Sequence, residues 1–218
     1  MTTFISRYLD PADRLGEILF ALIMCLGFTA AVRLGHQDAD SRALLVAIGG
    51  CNLSWAFVDG VIYVLTALFE RGCRVRLARD VLAAPTEHAA LARIDREFDG
   101  PLMAILNHRE RDQVLHWALE IVRAKGKPPP ARMRSEDLLG GVAVSLLIAL
   151  STLPVLVPLA VVPTPTLAVR LSNLVALTQM FLLGFWWGRI VGAGPIRVAL
   201  GLTLLGVSLV AVTVSLGG

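Results

Sequence analysis

Five apolar runs, each long enough to form a helix that crosses a lipid bilayer, dominate the sequence. The hydrocarbon core of a bilayer is about 30 Å thick and a helix rises about 1.5 Å per residue, so about 20 apolar residues are needed. Backbone polar groups in lipid must be paired within the segment itself, which favours helices. The five predicted spans are residues 15–34, 43–69, 138–161, 171–190 and 196–216. The sequence therefore predicts an all-α membrane protein with five transmembrane helices.

The overall composition argues against an ordinary soluble domain. Hydrophobic residues make up 56% of the chain and charged residues 17%, whereas charged residues make up about 25% of typical globular proteins. The net charge of +3 is compatible with nucleic-acid binding. The basic residues, however, cluster beside the apolar runs, where they orient a membrane protein and meet anionic headgroups. We therefore expect membrane lipids, and no nucleic acid, as partners.

A basic segment separates the second predicted span from the third. The chain thus divides into residues 1–69, 70–135 and 136–218. The second helix is expected to continue toward Leu82, and Pro85 predicts the start of a new helix. Apolar positions repeat with helical spacing again over 108–124. We expect a helical insert whose short amphipathic helices need a partner to cover their apolar faces, and a homodimer is the simplest source of one.

The distribution of Lys and Arg predicts the orientation in the membrane, because cytoplasmic loops carry an excess of these residues. With five spans the two termini lie on opposite sides. If the N-terminus is cytosolic, that side holds 17 basic residues and the outer side holds three. The three are Arg33, Arg42 and Arg170. We therefore expect the N-terminus and residues 70–135 in the cytosol and the C-terminus outside, in a cytoplasmic (inner) membrane.

Asp59 is the acidic residue that the sequence places deepest in an apolar run. It lies ten residues from Phe69, the inner end of the second predicted span, and therefore about 15 Å deep. Even permissive insertion scales assign Asp a cost of about 2.5–3.5 kcal/mol at a helix centre. Asn52, Tyr63 and Thr66 share a polar stripe with it. Asp59 is either an ion or proton site or a buried carboxylate hydrogen-bonded to a neighbouring helix.

Two further acids, Asp13 and Glu17, lie one turn apart where the first predicted span begins. Acids near a helix N-terminus are favoured by the helix dipole, so they can also be interfacial residues that Arg14 neutralises. Paired with Asp59, they would make a hard-oxygen cation site, and the thioether of Met24 would favour softer divalent metals. The candidate metal-binding residues are therefore Asp13, Glu17, Met24 and Asp59.

The remaining polar groups have structural interpretations as well as functional ones. Asn173 and Gln179 in the fourth predicted span are expected to bond between helices, and Cys25 and Cys51 to be small apolar fillers. In the insert, four residues at four-residue steps form either a metal-lining or a solvated face: His108, Asp112, His116 and Glu120. The sequence contains no nucleotide-binding loop, zinc-finger spacing or nucleophile elbow, so we expect neither an enzyme nor a prosthetic group.

Several short motifs, together with the predicted architecture, resemble the vacuolar iron transporter (VIT) family. Residues 13–15 (Asp-Arg-Leu) and 20–22 (Phe-Ala-Leu) are similar to the family's Asp-Gly-Leu and Phe-Ala-Leu, with a one-residue offset. The runs 151–158 and 184–189 are also similar. Asp59 stands as the counterpart of the family's helix-two acid. The methionine near that acid is absent here, and the insert lacks the family's repeated glutamate pairs.

This resemblance implies a dimer with a cytoplasmic metal-binding insert that exchanges Fe²⁺ or Mn²⁺ for protons. We therefore predict a homodimeric transporter that exports iron or manganese from the cytosol against protons. The transported ion would be bound by Asp13, Glu17, Met24 and Asp59. The alternative is a non-transporting membrane scaffold whose basic insert binds anionic lipid or a protein partner.

Overall fold

The regular structure is helical throughout the part of the chain that the structure describes. This computed structural model describes the backbone of residues 2–35, 41–97 and 104–215, and the side chains of 4–29, 42–97, 104–213 and 215. Eight helices lie in these ranges: α1 (Thr2–Tyr8), α2 (Pro11–Gly35), α3 (Ser41–Leu82), α4 (Glu87–Glu97), α5 (His108–Lys125), α6 (Ser135–Val161), α7 (Pro165–Val191) and α8 (Pro195–Ser215). The predicted all-α class is therefore confirmed.

Four of the described helices are long and apolar enough to cross a membrane. They are Arg42–Leu82, Ser135–Val161, Pro165–Val191 and Pro195–Thr213. These helices coincide with the second to fifth predicted spans. The first predicted span, 15–34, lies on α2, and the side chains at its end, from residue 30 onward, lie outside the described residues.

The chain divides into two compact units. The first contains Met1–Val64 and Ser135–Gly218, and the second contains Leu65–Arg134. Helix α3 contributes residues to both, because its continuous run from Ser41 to Leu82 includes the division at residue 64.

The interior of the first unit is made of aliphatic and small side chains from α2, α3, α6 and α7. Leu22, Ile48, Val155 and Met180 are fully buried members of one such cluster. The outward faces of the long helices are apolar as well: Phe57 on α3 is 70% exposed. Large exposed apolar surfaces are rare on soluble monomers, and they are the expected surface of helices that contact lipid.

Helices α3 and α6 approach each other through glycine backbones. A Cβ atom added to Gly141 would lie 2.5 Å from the carbonyl oxygen of Gly60, and one added to Gly60 would lie 2.7 Å from that of Gly141. Small residues permit such close approach between membrane helices. One turn away, the Ser145 hydroxyl donates a hydrogen bond to the Ala56 carbonyl (2.8 Å). The crossing fixes the segment of α3 that includes Asp59.

Helix α6 continues through both of its prolines, Pro154 and Pro158, although a proline inside a helix usually kinks or ends it. Proline removes a backbone donor and leaves carbonyls of the preceding turn without a partner, but neighbouring helices can supply replacements. Helix α7 binds the carbonyls next to those that the prolines leave free, because Gln179 Nε2 donates to the Ser151 carbonyl (3.1 Å) and the Ser172 hydroxyl donates to the Val155 carbonyl.

The second unit packs α4 and α5 around an aliphatic core of its own. Ile94, Leu115 and Leu119 are buried in that core with the end of α3. Helix α5 begins at a capping box in which the Asn107 side chain accepts from the Glu110 backbone and the Glu110 side chain accepts from the Asn107 backbone. Such a reciprocal pair satisfies two donors that the first turn leaves free. The start of the helix predicted over 108–124 is therefore confirmed.

We expect Gly141→Ala to destabilise the first unit, because its new methyl group would meet the Gly60 backbone, which cannot move aside, as well as the Val64 side chain. Overpacking of this kind typically costs about 1–3 kcal/mol. Gly201→Ala on α8 is the matched control, since nothing lies within 4 Å of a Cβ atom at that position. Thermal unfolding of the purified protein in detergent measures both. Equal melting temperatures for the two variants would contradict the proposed crossing.

Candidate functional site

Asp59 is the central residue of the candidate site. It lies on α3 beside Gly60 and is half-buried. Its Oδ2 atom is buried and has no hydrogen-bond partner among the described residues. A buried polar atom that is left without a partner costs free energy, and the cost is larger in a helix that is apolar enough for a membrane. The interpretation of Asp59 as a fully hydrogen-bonded structural link therefore finds no support at this atom.

Glu17 brings a second carboxylate to the same region from α2. Its side chain is half-buried and interacts electrostatically with both Asp59 and Asp13. Asp13 lies one turn earlier on α2 and is exposed. The structure thus brings three of the predicted site residues into one electrostatic neighbourhood. Like charges at this range repel each other, and a bound cation relieves that repulsion.

Arg14 forms no ion pair with these acids in the described part of the chain. Its Nε atom is buried without a hydrogen-bond partner, and none of the ion pairs found among the described residues involves it. Among the described residues, the three carboxylates are therefore not ion-paired with the nearest arginine in sequence.

Met24 is the predicted ligand that stands apart from the carboxylates. It is half-buried on α2, seven residues beyond Glu17 and so about 10 Å along the helix axis. In the described part of the single chain, no three His, Cys, Asp or Glu side chains are close enough together to hold a metal ion. The three acids interact electrostatically, but in the described part of the chain they do not form a complete coordination sphere for a metal ion.

Only some side chains of the polar stripe predicted on α3 are buried in the first unit. Asn52 is 1% exposed, and its Nδ2 donates to the Ile48 carbonyl (3.1 Å) while its Oδ1 has no partner among the described residues. Tyr63 is half-buried and donates to the Tyr8 carbonyl (3.1 Å). Thr66 is exposed and belongs to the other unit.

Thr152 is a buried polar residue whose position the sequence did not reveal. Cys25, predicted to be a small apolar filler, is fully buried in the aliphatic cluster of the first unit, which confirms that prediction. The Thr152 and Asn52 side chains interact with its thiol. Nothing in the sequence indicated that Thr152 of α6 would lie at the same place.

The predicted hydrogen bonds between helices involving α7 are confirmed. The Thr29 hydroxyl donates to Asn173 Oδ1 (2.6 Å), and Gln179 Nε2 donates to the Ser151 carbonyl (3.1 Å). The Oε1 atom of Gln179 is buried without a partner among the described residues. Helix α7 is therefore attached to both α2 and α6 by polar side chains.

In the second unit, the polar face of α5 is exposed along its length. Its four predicted members are His108, Asp112, His116 and Glu120, and all are exposed. His116 Nε2 lies 3.7 Å from an oxygen of Glu87 on α4, and the same carboxylate accepts from Arg123 (3.0 Å). The described geometry fits an ion pair between α4 and α5 better than a metal centre.

Comparison with models of known protein families finds no match for this chain, and no curated protein matches it either.

The electrostatic pairing of Glu17 with Asp59 predicts a coupling that a double-mutant cycle can measure. In metal-free protein at neutral pH, Glu17→Gln should raise the melting temperature, because it removes a like charge beside Asp59. That gain should shrink in an Asp59→Asn background, with a coupling of about 0.5–3 kcal/mol, as for residues in contact. Glu120→Gln on the exposed face of α5 is the control. Additive effects of the Glu17 and Asp59 changes would contradict the pairing.

Proposed function

We propose that this protein transports a divalent cation, iron or manganese, out of the cytosol in exchange for protons. The observation that carries the proposal is the half-buried Asp59, whose Oδ2 is buried without a partner among the described residues and whose charge interacts with that of Glu17. Asp59 lies on α3, which is long and apolar enough to cross a membrane, and Glu17 lies on α2, which is the first span that the sequence predicts. A carboxylate such as that of Asp59 costs free energy in an apolar helix, and binding of the transported ion is the best explanation for its presence there.

The chemistry of these residues suits metal–proton exchange. Carboxylate oxygens bind hard and borderline divalent cations, and a thioether such as that of Met24 adds affinity for the softer ones. Protons compete with a metal for the same oxygens, so metal binding releases protons. In this proposal Asp13, which is exposed at the start of α2, receives the ion before Glu17 and Asp59.

The resemblance to the vacuolar iron transporter family supports the choice of Fe²⁺ and Mn²⁺ as substrates. It rests on the short motifs near Asp13 and Phe20, and on Asp59 as the helix-two acid. The proposal includes α2 as the fifth transmembrane helix and a homodimer as the functional assembly. No resident cofactor and no catalysed reaction are included.

The proposed location is the cytoplasmic (inner) membrane, with the N-terminus and residues 70–135 in the cytosol and the C-terminus outside. The excess of basic residues on the proposed inner side supports this orientation, since 13 of them lie between Arg71 and Arg134.

A specific feature of the second unit favours the scaffold alternative. A cavity of about 530 Å³ is lined by Arg76, Arg93 and Arg96, together with two acids and Cys73. Guanidinium groups bind phosphate oxygens through paired hydrogen bonds, and basic segments near a membrane attract anionic headgroups. In such a scaffold, lipid binding through this cavity does not depend on Asp59.

Asp59→Asn separates the two functions, because it keeps the shape of the side chain while removing the charge. In proteoliposomes, we expect this variant to lose proton movement driven by Fe²⁺ or Mn²⁺ and to bind the metal at least about tenfold more weakly, a change of about 1.4 kcal/mol. A pH-sensitive dye inside the vesicles and a metal titration measure the two quantities.

Asp80→Asn is the matched control for this experiment. It makes the same chemical change on the same helix, at an exposed residue paired with Arg76, and should leave both quantities unchanged. If the parent protein moves no protons with any divalent metal, or if Asp59→Asn matches the parent, the scaffold becomes the better explanation.

The orientation is tested by cysteine labelling in intact cells, with Cys51 and Cys73 replaced by serine. A cysteine at position 170, on the exposed start of α7, should react with a membrane-impermeant reagent from outside. A cysteine at position 109, on the exposed start of α5, should react only after the membrane is opened. The reverse pattern would contradict the proposed direction of transport.

A further inference from the structure

Helix α1 lies against the stretch of α3 that includes Asp59. The Tyr63 hydroxyl on α3 donates a hydrogen bond to the Tyr8 carbonyl at the end of α1 (3.1 Å). Ile5 of α1 is buried in one cluster with Ala56 of α3, and Tyr63 packs against the same cluster. Ala56 precedes Asp59 by three residues and Tyr63 follows it by four, and residues at these steps are neighbours on a helix surface. Helix α1 therefore borders α3 on both sides of Asp59.

The position of the Tyr63 ring is fixed by a glycine of α6. A Cβ atom added to Gly140 would overlap this ring, so the ring lies directly on the α6 backbone and its hydroxyl is held toward α1. On α1, the rings of Phe4 and Tyr8 meet edge to face with their centroids 5.2 Å apart, and both pack against the same buried cluster as Tyr63. The docked position of α1 is thus defined by specific contacts.

Helix α1 is nevertheless small and attached over a short length. Of its described side chains only Ile5 is buried, and Leu9, which follows the helix, is buried as well. A helix of seven residues is not stable by itself, because isolated helices of fewer than about 12–15 residues are marginal in water. Only Leu9 and Asp10 separate α1 from Pro11, the first residue of α2, and the residue before a proline disfavours helical backbone. The chain can therefore bend at Leu9 and Asp10 while α2 stays in place.

We propose that α1 is a lid over the carboxylate site of Asp59 and Glu17, and that it opens by bending at Leu9 and Asp10 to admit the ion from the cytosol. The docked state is the one in this structure, where Asp59 Oδ2 is buried. Asp13 is exposed beside the hinge and stays accessible in both states. This inference rests on the proposed function, which it deepens, because it names the step that controls entry of the ion.

Access to the carboxylates then depends on how often the lid is open. Removal of a docking contact lowers the free energy of the open state relative to the docked state, so the open fraction rises. The carboxylates of Asp59 and Glu17 should then react faster with a reagent in solution, whether or not a metal is present. The lid can therefore be tested without metal and without transport.

The test measures how fast a water-soluble carbodiimide and an amine modify the carboxyl groups of the full chain in detergent. Mass spectrometry gives the rates at Asp59 and Glu17, and the exposed Asp112 of the second unit is the internal reference. Two variants loosen the lid from opposite sides. Tyr63→Phe removes the hydrogen bond from α3, and Ile5→Ser removes the buried aliphatic side chain from α1.

We expect both variants to raise the rates at Asp59 and Glu17 by about threefold or more, which is the effect of losing one ordinary hydrogen bond. Tyr8→Phe is the matched control. It removes a hydroxyl from the other residue of the pair but leaves the Tyr8 carbonyl that accepts the bond, so its rates should equal those of the parent. Melting temperatures identify any variant that has lost its fold, and Ile5→Ala then replaces Ile5→Ser.

The outcomes for the lid and for the transport are separable. Unchanged rates in both variants would overturn the lid, and so would an increase in Tyr63→Phe alone, which would show a local effect on Asp59. Either result leaves the transport to be decided by Asp59→Asn. Faster modification in both variants supports the lid, and in a protein that moves no protons it would contradict the transport only. If the protein does move protons, both variants should start Mn²⁺-driven proton movement faster in proteoliposomes, and an unchanged initial rate would overturn the role of the lid in ion entry.

Discussion

The close contact between α3 and α6 is the interaction on which the candidate site depends. Gly60 and Gly141 allow the two backbones to meet without intervening side chains, and a larger residue at either position would separate the helices. Because the contact is at Gly60, it fixes Asp59 beside it and Asn52 two turns away. The same contact brings α6 alongside α3, and Thr152 on α6 lies at the level of Asn52 and Cys25.

The polar side chains of the first unit fall into two groups. Those of the first group join helices: Thr29 bonds to Asn173, Gln179 to the Ser151 carbonyl and Tyr63 to the Tyr8 carbonyl. Those of the second group retain a buried atom that has no partner in the described part of the chain: they include Asp59 and Asn52, and Gln179 belongs to both groups through its Oε1 atom. Bonds of the first kind stabilise a membrane bundle. Atoms of the second kind reduce its stability.

Hydropathy and helical spacing predicted most of the fold, because both depend on properties of one segment at a time. The run of apolar residues after Ser135 predicted α6, and the spacing of apolar residues after His108 predicted α5. Contacts between helices were harder to predict from the sequence. Asp59 and Glu17 were predicted to pair because charge in an apolar run is conspicuous, whereas a hydroxyl in such a run is not, so nothing in the sequence placed Thr152 of α6 beside Cys25 of α2.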